Sequence, residues 1–278
     1  MVRWLCAAFL VCLLVPFILN AKPKQEVEVI RSDVYDKFDI EITSMKNKNG
    51  EKYLIYQAIP KGVNEHKNVL FMLDANAQFP MLLNLFAKDE KLLVIGIGHD
   101  TNLAYDKKRR TKDYTPKANK EEFSQGGGAE EFYEFIKDRV VPFADKKFNI
   151  KNSQKSLYGH SFGGLFTLFS MLKNDDIFDS FFIASPSLWW GDSMILKEAV
   201  EKDKFKERLK AKFVFVSVGE LEKRKGKTDR PNILKAKDLA LYLNNSGINS
   251  EFKIYKNQTH AGVIPLNLAD ILKRLCHH

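Results

Sequence analysis

Cysteine is almost missing from the part of this chain that has to fold. Of its three cysteines, Cys6 and Cys12 lie in the first dozen residues and Cys276 stands near the far end. If the N-terminal stretch is removed, no intramolecular disulfide can form, and the fold must rest on its core. Past the first residues there is no internal repeat, no low-complexity tract and no Pro/Ser-rich linker. No apolar run is long enough to cross a bilayer comfortably. The longest, the sixteen residues from Trp4 to Leu19, is broken by Pro16. Histidine is also scarce, at six, and this later limits the candidates for a general base.

The opening "MVRWLCAAFLVCLLVPFILNA" has one early cation, Arg3, then the apolar run, then the small residue Ala21. This is the layout of a secretory signal peptide over residues 1–21, with the folded unit expected over 22–278. Val11 before Cys12 does not suit a lipoprotein signal, so an exported protein without stable membrane insertion is expected. His277 and His278 at the end read equally as natural residues or as a tag remnant and are not candidates for the site.

The chain is 278 residues long, enough for one large core, and carries a formal net charge of +9. Excess positive charge favours anionic partners. The only dense basic knots are "KKRR" at 107–110 and "EKRKGK" at 222–227, and no nucleic-acid-binding module accompanies them. Nucleic acid is therefore not expected, and a membrane surface, an anionic small molecule or solubility alone accounts for the charge equally well.

Strand-like and helix-like runs alternate. Residues 35–44 and 52–60 flank the turn "KNKNG" as an antiparallel hairpin, and apolar β-rich runs follow at 69–73, 92–97, 155–158, 180–184, 213–218 and 251–255. Helical spacing recurs at about 79–87, 129–147, 163–173, 192–210, 232–244 and 265–275, with Phe132, Phe135, Ile136, Val140 and Phe143 on one face. The stretch 99–128 shows little periodicity. This alternation predicts an α/β fold: a mostly parallel sheet, an antiparallel N-terminal hairpin and helices on both faces. Ligands in such folds bind beyond the carboxyl ends of the strands.

One strand end carries "GHSFG". Gly159 and Gly163 flank Ser161, with a strand run before and a helical pattern after. That arrangement lifts a serine hydroxyl to the rim of the sheet on a tight turn. The hydroxyl then needs a base. His66 and His99 precede Ser161, His160 adjoins it, and only His260 follows it apart from the terminal pair. A serine–acid–histidine order also asks for an acid after the penultimate strand, where Glu220 and Glu222 stand; spacing does not choose between them. For oxyanion stabilisation the backbone N–H of Phe162 and one from "LDANAQ", with Asn76 preferred, are the candidates.

Together "LDANAQF", "RTKDYTP", "GGGAEEFYEFI", "LYGHSFGGLF", "SPSLWW" and "THAGVIP" resemble the esterase branch of the α/β-hydrolases. More narrowly they resemble periplasmic esterases that open the trilactone ring of enterobactin and salmochelin. The likeness runs from about residue 34 to the end. It implies Ser161 as nucleophile, His260 as base and Glu222 in preference to Glu220 as acid, although some periplasmic members work as a serine–histidine dyad. It implies Arg110, six residues before Pro116, on the substrate side. It also marks Ala75 as standing where the family usually has glycine, which would narrow the oxyanion loop slightly.

The substrate implied is an anionic catecholate siderophore, ferric or iron-free, whose flat rings suit Trp189 and Trp190. Neither a metal site nor a cofactor of the protein itself is expected. A general carboxylesterase or acyltransferase on the same fold is the neighbouring alternative. A non-catalytic siderophore-binding protein is a further one, disfavoured because Ser161 and His260 are both present.

Overall fold

The structure is a computed structural model that describes residues 25–87, 90–201, 209–222 and 231–276. The expected signal peptide and most of the second basic knot fall outside the described residues. Eight strands form one sheet: β1 (Phe38–Lys46), β2 (Lys52–Pro60), β3 (Asn68–Met72), β4 (Leu93–His99), β5 (Gln154–His160), β6 (Ser180–Ala184), β7 (Phe213–Gly219) and β8 (Ser250–Tyr255). Their order is β1-β2-β4-β3-β5-β6-β7-β8. The pairs β1/β2 and β2/β4 are antiparallel, and every other pair is parallel. The hairpin expected from "KNKNG" is therefore present, and the rest is the parallel sheet that alternating elements predict.

Nine α-helical segments surround the sheet among the described residues: α1 (Val34–Lys37), α2 (Ala75–Leu83), α3 (Lys107–Tyr114), α4 (Ala129–Phe135), α5 (Val141–Phe148), α6 (Phe162–Leu172), α7 (Met194–Glu201), α8 (Pro231–Asn245) and α9 (Val263–Cys276). Side-chain alternation along the strands divides the core in two. In β3 and just after it, Val69, Phe71 and Leu73 pack with Phe132, Phe166 and Leu239. Leu70 and Met72 pack with Phe79, Leu82 and Leu268 on the other face.

Several elements depart from the sequence reading. Helix α2 runs over Ala75–Leu83 instead of about 79–87, because the polar Asn76 and Gln78 in its first turns hide its start from the apolar pattern. The first strand starts at Phe38, because 34–37 form a single helical turn. The helix expected over 129–147 is interrupted by a wide π turn at Ile136–Val140. Pro142, just inside α5, has no N–H to donate and crowds the carbonyl of the preceding turn, which the wider turn accommodates. The aperiodic stretch 99–128 contains α3, "KKRRTKDY". Its Asp106 side chain caps it by accepting from the Arg109 N–H at 3.0 Å. The residues it buries are Arg110, Asp113 and Tyr114. A helix that buries charges rather than an apolar stripe carries no hydrophobic periodicity to detect.

The close approach of β5 to α6 is the tightest steric feature near the carboxyl edge. A Cβ at Gly159 would lie 2.2 Å from the Gly163 carbonyl oxygen, whereas one at Gly247 would meet nothing within 4 Å. Gly159→Ala is expected to destabilise the fold by about 3 kcal/mol, the upper range for forced overpacking. Gly247→Ala should cost only about 1 kcal/mol, for its φ of +71° alone. Urea midpoints at constant m-value measure both; equal losses would contradict this steric account.

Candidate active site

Ser161 follows β5 directly and adopts φ 63°, ψ −118°. Its N–H donates to the Ala184 carbonyl at the end of β6 (3.0 Å), and its own carbonyl accepts from the Ser187 N–H (3.1 Å). The turn is thus stitched to the neighbouring strand end on both sides. Glycine at 164 completes it, since a Cβ there would fall 2.6 Å from the Ala184 carbonyl oxygen. Among the described residues, eight non-glycine residues have positive φ, and Asp74, Ser161, Ser185 and Asn257 stand one or two residues beyond strand ends at this edge. Backbone strain is concentrated where the side chains converge.

His260 lies between β8 and α9. Its Nε2 is 2.9 Å from Ser161 Oγ, and its Nδ1 is 2.9 Å from Glu222 Oε2. A carboxylate accepts only, so Nδ1 carries the proton and Nε2 is left to accept from the Ser161 hydroxyl. The other carboxylate oxygen of Glu222 accepts from Ser185 Oγ (2.5 Å) and the Gly219 N–H (2.8 Å). Glu222 is only 3% exposed. Burial pushes its pKa up, but the hydrogen bonds and charge of His260, together with Ser185 and Gly219, outweigh it and bring it down to about 2. Glu220, two residues away, turns elsewhere and accepts from the Asn257 N–H at 2.9 Å. It fastens the loop that carries His260 and does not touch the imidazole.

His160, adjoining the serine, turns its side chain to a neighbour of the site. Its Nε2 donates to the His260 carbonyl at 2.8 Å, and the two rings lie 4.6 Å apart. Burial and the neighbouring His260 charge push its pKa down to about 3, so it stays neutral and holds the His260 backbone. Ser187 Oγ lies 3.3 Å from Ser161 Oγ. Thus one turn after β6 touches both ends of the chain: Ser185 at Glu222, Ser187 at Ser161. Both serines lie in "SPSLWW", immediately after a strand, so position flagged the stretch while composition could not single out the two hydroxyls.

The N-termini of α2 and α6 meet beside Ser161: a Cβ on Gly163 would lie 3.6 Å from Asp74 Oδ2. The first turn of each helix presents N–H groups without intrahelical acceptors, including those of Asn76 and Phe162. Such groups suit a developing oxyanion. The Asn76 side chain is already engaged: it donates to the His99 and Thr101 carbonyls (3.0 and 3.1 Å) and accepts from the His99 N–H (2.9 Å). The Ala75 methyl does not narrow the loop as expected. It is buried against Gly96 of β4, where a second methyl would come within 2.7 Å of it.

Two residues expected on the substrate side, Arg110 and Trp190, are buried against protein partners. Arg110 is 9% exposed and is spent on a bidentate pair with Asp74, Nε to Oδ1 at 2.6 Å and Nη2 to Oδ2 at 2.9 Å. Trp190 is 4% exposed, donates its indole N–H to the Pro116 carbonyl (2.9 Å) and packs on Phe123. Its ring takes the space that a Cβ on Gly126 would need. Trp189 is half-buried, 5.8 Å from the Phe162 ring. Among the described residues no group of three or more His, Cys, Asp or Glu side chains is placed to hold a metal ion.

The depressed pKa of His160 links stability to pH. A buried histidine held neutral contributes stability that is complete above its unfolded value of 6.5 and is lost as pH falls toward about 3. Glu222 adds the same sign of dependence below 4.5. Between pH 7 and 5 the wild type should lose about 2 kcal/mol through His160. His160→Gln, which keeps an N–H donor and does not titrate, should lose less than half as much. Denaturant titrations at the two pH values decide it; parallel losses in the two proteins would refute the role assigned to His160.

The geometry agrees with comparison to known proteins. Residues 50–265 match the family described as Putative esterase. The chain is 27% identical over 231 residues to the ferri-bacillibactin esterase BesA of Bacillus subtilis, covering 75% of this chain and 78% of that one. It is 30% identical over 203 residues to the apo-salmochelin esterase of Escherichia coli, covering 66% and 64%. The crystal structure of the BES protein from Bacillus cereus superposes with a TM-score of 0.75 at 26% identity, covering 92% of this chain and 99% of that one. The chain therefore belongs to this esterase family and is a carboxylic-ester hydrolase of the α/β-hydrolase fold.

Proposed function

We propose that the protein is a serine esterase that opens the ester backbone of a catecholate siderophore, an enterobactin-like trilactone in ferric or iron-free form, and so eases release of the metal. The observation that carries the chemistry is the unbroken line Ser161–His260–Glu222, with both links at 2.9 Å. Ser161 Oγ attacks the ester carbonyl while His260 Nε2 takes its proton. Glu222, ionised and buried, stabilises the imidazolium through Nδ1. The carbonyl oxygen, now anionic, is received by the N–H groups of Phe162 and Asn76. Collapse expels the alcohol, which takes the proton from Nε2, and leaves an ester on Ser161 Oγ. Water, deprotonated by His260, then cleaves that ester and restores the hydroxyl. Nucleophile, base and oxyanion donors all come from the chain, so the reaction calls for no cofactor.

The siderophore assignment is supported by the names of the two relatives, one an esterase of a ferri-siderophore and the other of an apo-siderophore. A net charge of +9 favours an anionic substrate by long-range attraction. Trp189, half-buried just after β6, is an aromatic side chain against which a catechol ring can pack. The apolar, singly charged opening of the sequence supports export to the periplasm.

Purified protein incubated with ferric and iron-free enterobactin, with products resolved by chromatography, should yield linear trimer and shorter fragments. Cleavage of a simple aryl ester with both siderophore forms intact would make it a general carboxylesterase. Binding without cleavage of any ester would make it a siderophore-binding protein. Ser161→Ala should lower kcat by ~10⁴-fold or more, and Glu222→Gln by ~10³-fold. Glu220→Gln should stay within about threefold, as a loop fastening should. Wild-type kcat in Glu222→Gln would mean that Ser161 and His260 act as a dyad.

A further inference from the structure

The pair Arg110–Asp74 is buried, bidentate and takes no part in the proton path, yet it sits under the oxyanion side of the site. Asp74 precedes α2 directly, in left-handed backbone at φ 53°, ψ 38°. Its carbonyl accepts from the N–H groups of Ala77 and Gln78, both at 3.0 Å. An aspartate at this position ordinarily turns its side chain onto the N–H of the second or third helical residue. Here it makes no such bond. Both carboxylate oxygens go to Arg110 of α3. The guanidinium lies 5.2 Å from the Tyr105 ring centroid and 5.6 Å from that of Tyr114, whose hydroxyl accepts from the Asp74 N–H at 3.3 Å. The second residue of α2 is Asn76, so a capping carboxylate would occupy the N–H that the esterase mechanism needs for the oxyanion.

The charge matters as well as the geometry. Asp74 Oδ2 faces Gly163, two residues after Ser161. An unneutralised carboxylate between the starts of α2 and α6 would repel the negative charge that develops there.

We infer that Arg110 is a positioning residue: it draws the Asp74 carboxylate off the N-terminus of α2 and cancels its charge, which keeps the Asn76 N–H open to the oxyanion. The inference rests on the serine mechanism proposed above and gives Arg110 a task in it other than binding substrate. Lysine cannot replace the planar two-pronged contact, although it keeps the charge.

The test compares wild type with Arg110→Lys, Arg110→Ala and the double variant Arg110→Ala/Asp74→Ala. The readouts are kcat and KM for an aryl ester and the inhibition constant of a trifluoromethyl ketone, whose hemiketal oxygen mimics the oxyanion. Arg110→Ala should lose kcat by ~10²-fold or more with KM within about threefold, the pattern of a lost transition-state donor. Ketone affinity should fall in parallel. Arg110→Lys should lose kcat by ~10-fold at unchanged melting temperature. The double variant should regain at least ~10-fold over Arg110→Ala, because the carboxylate that blocks the N–H is gone.

If Arg110→Ala does not fold, Arg110→Lys still decides the matter. A raised KM at unchanged kcat would make Arg110 a substrate contact and overturn the inference. So would wild-type kcat and ketone affinity in Arg110→Lys, or a double variant no better than Arg110→Ala. Ester cleavage surviving Ser161→Ala overturns the serine mechanism and this inference with it. A Ser161-dependent enzyme indifferent to Arg110 overturns the inference alone.

Discussion

The end of β5 and the start of α6 touch backbone to backbone, and every other feature of the site is placed relative to that contact. Gly159 lets the strand and helix meet at a distance no side chain would permit, with the Gly163 carbonyl where its Cβ would point. The chain can then reverse only through Ser161, in a conformation that costs a non-glycine residue of order 1–3 kcal/mol. The neighbouring turn holds it there, through the Ala184 carbonyl and the Ser187 N–H. The serine is thus fixed before any partner reaches it, and its hydroxyl projects at the carboxyl rim where the other strands deliver theirs.

Around that fixed point the protein arranges buried charge in pairs. Glu222 is tied to His260, Asp74 to Arg110, and Asp113 lies 3.0 Å from both the His99 ring and the Tyr53 hydroxyl. A charge taken out of water is tolerated only when it is matched and hydrogen-bonded. Each pair also locks one loop of the rim: the loop after β7 to the loop after β8, the loop after β3 to α3, and the end of β4 to α3. Neutral groups finish the task. His160 holds the backbone of His260 without adding a second positive charge beside it. Since the catalytic imidazole must itself become cationic in the serine mechanism, an uncharged neighbour suits it better than a charged one.

How legible this was in the sequence follows from the kind of signal each part leaves. Strands buried on both faces leave apolar runs, and seven of the eight matched their expected positions to within two residues at either end. The glycine-flanked Ser161 and the scarcity of histidine pointed to the two residues that now lie 2.9 Å apart. The choice between Glu220 and Glu222 was invisible to spacing, because both follow β7 and a difference of two residues in a turn decides which one faces His260. Arg110 was misplaced for a related reason. A basic stretch without periodicity reads as an irregular surface loop, and only the tertiary pairing with Asp74 reveals that Arg110, the fourth residue of α3, is buried. The same holds for Trp190, whose indole is held by a backbone carbonyl 74 residues away. Partners supplied by distant backbone leave no local pattern.

The central claim is that Ser161 is the one residue whose oxygen becomes covalently bound during turnover. Intact-mass and peptide mass spectrometry after brief exposure to an organophosphorus fluoride tests it most directly. The account predicts a single adduct, carried by the peptide containing Ser161, whose formation abolishes ester cleavage and slows sharply in His260→Ala. An inactivated enzyme with its adduct on another residue, or full activity retained in a protein completely labelled at Ser161, would contradict it.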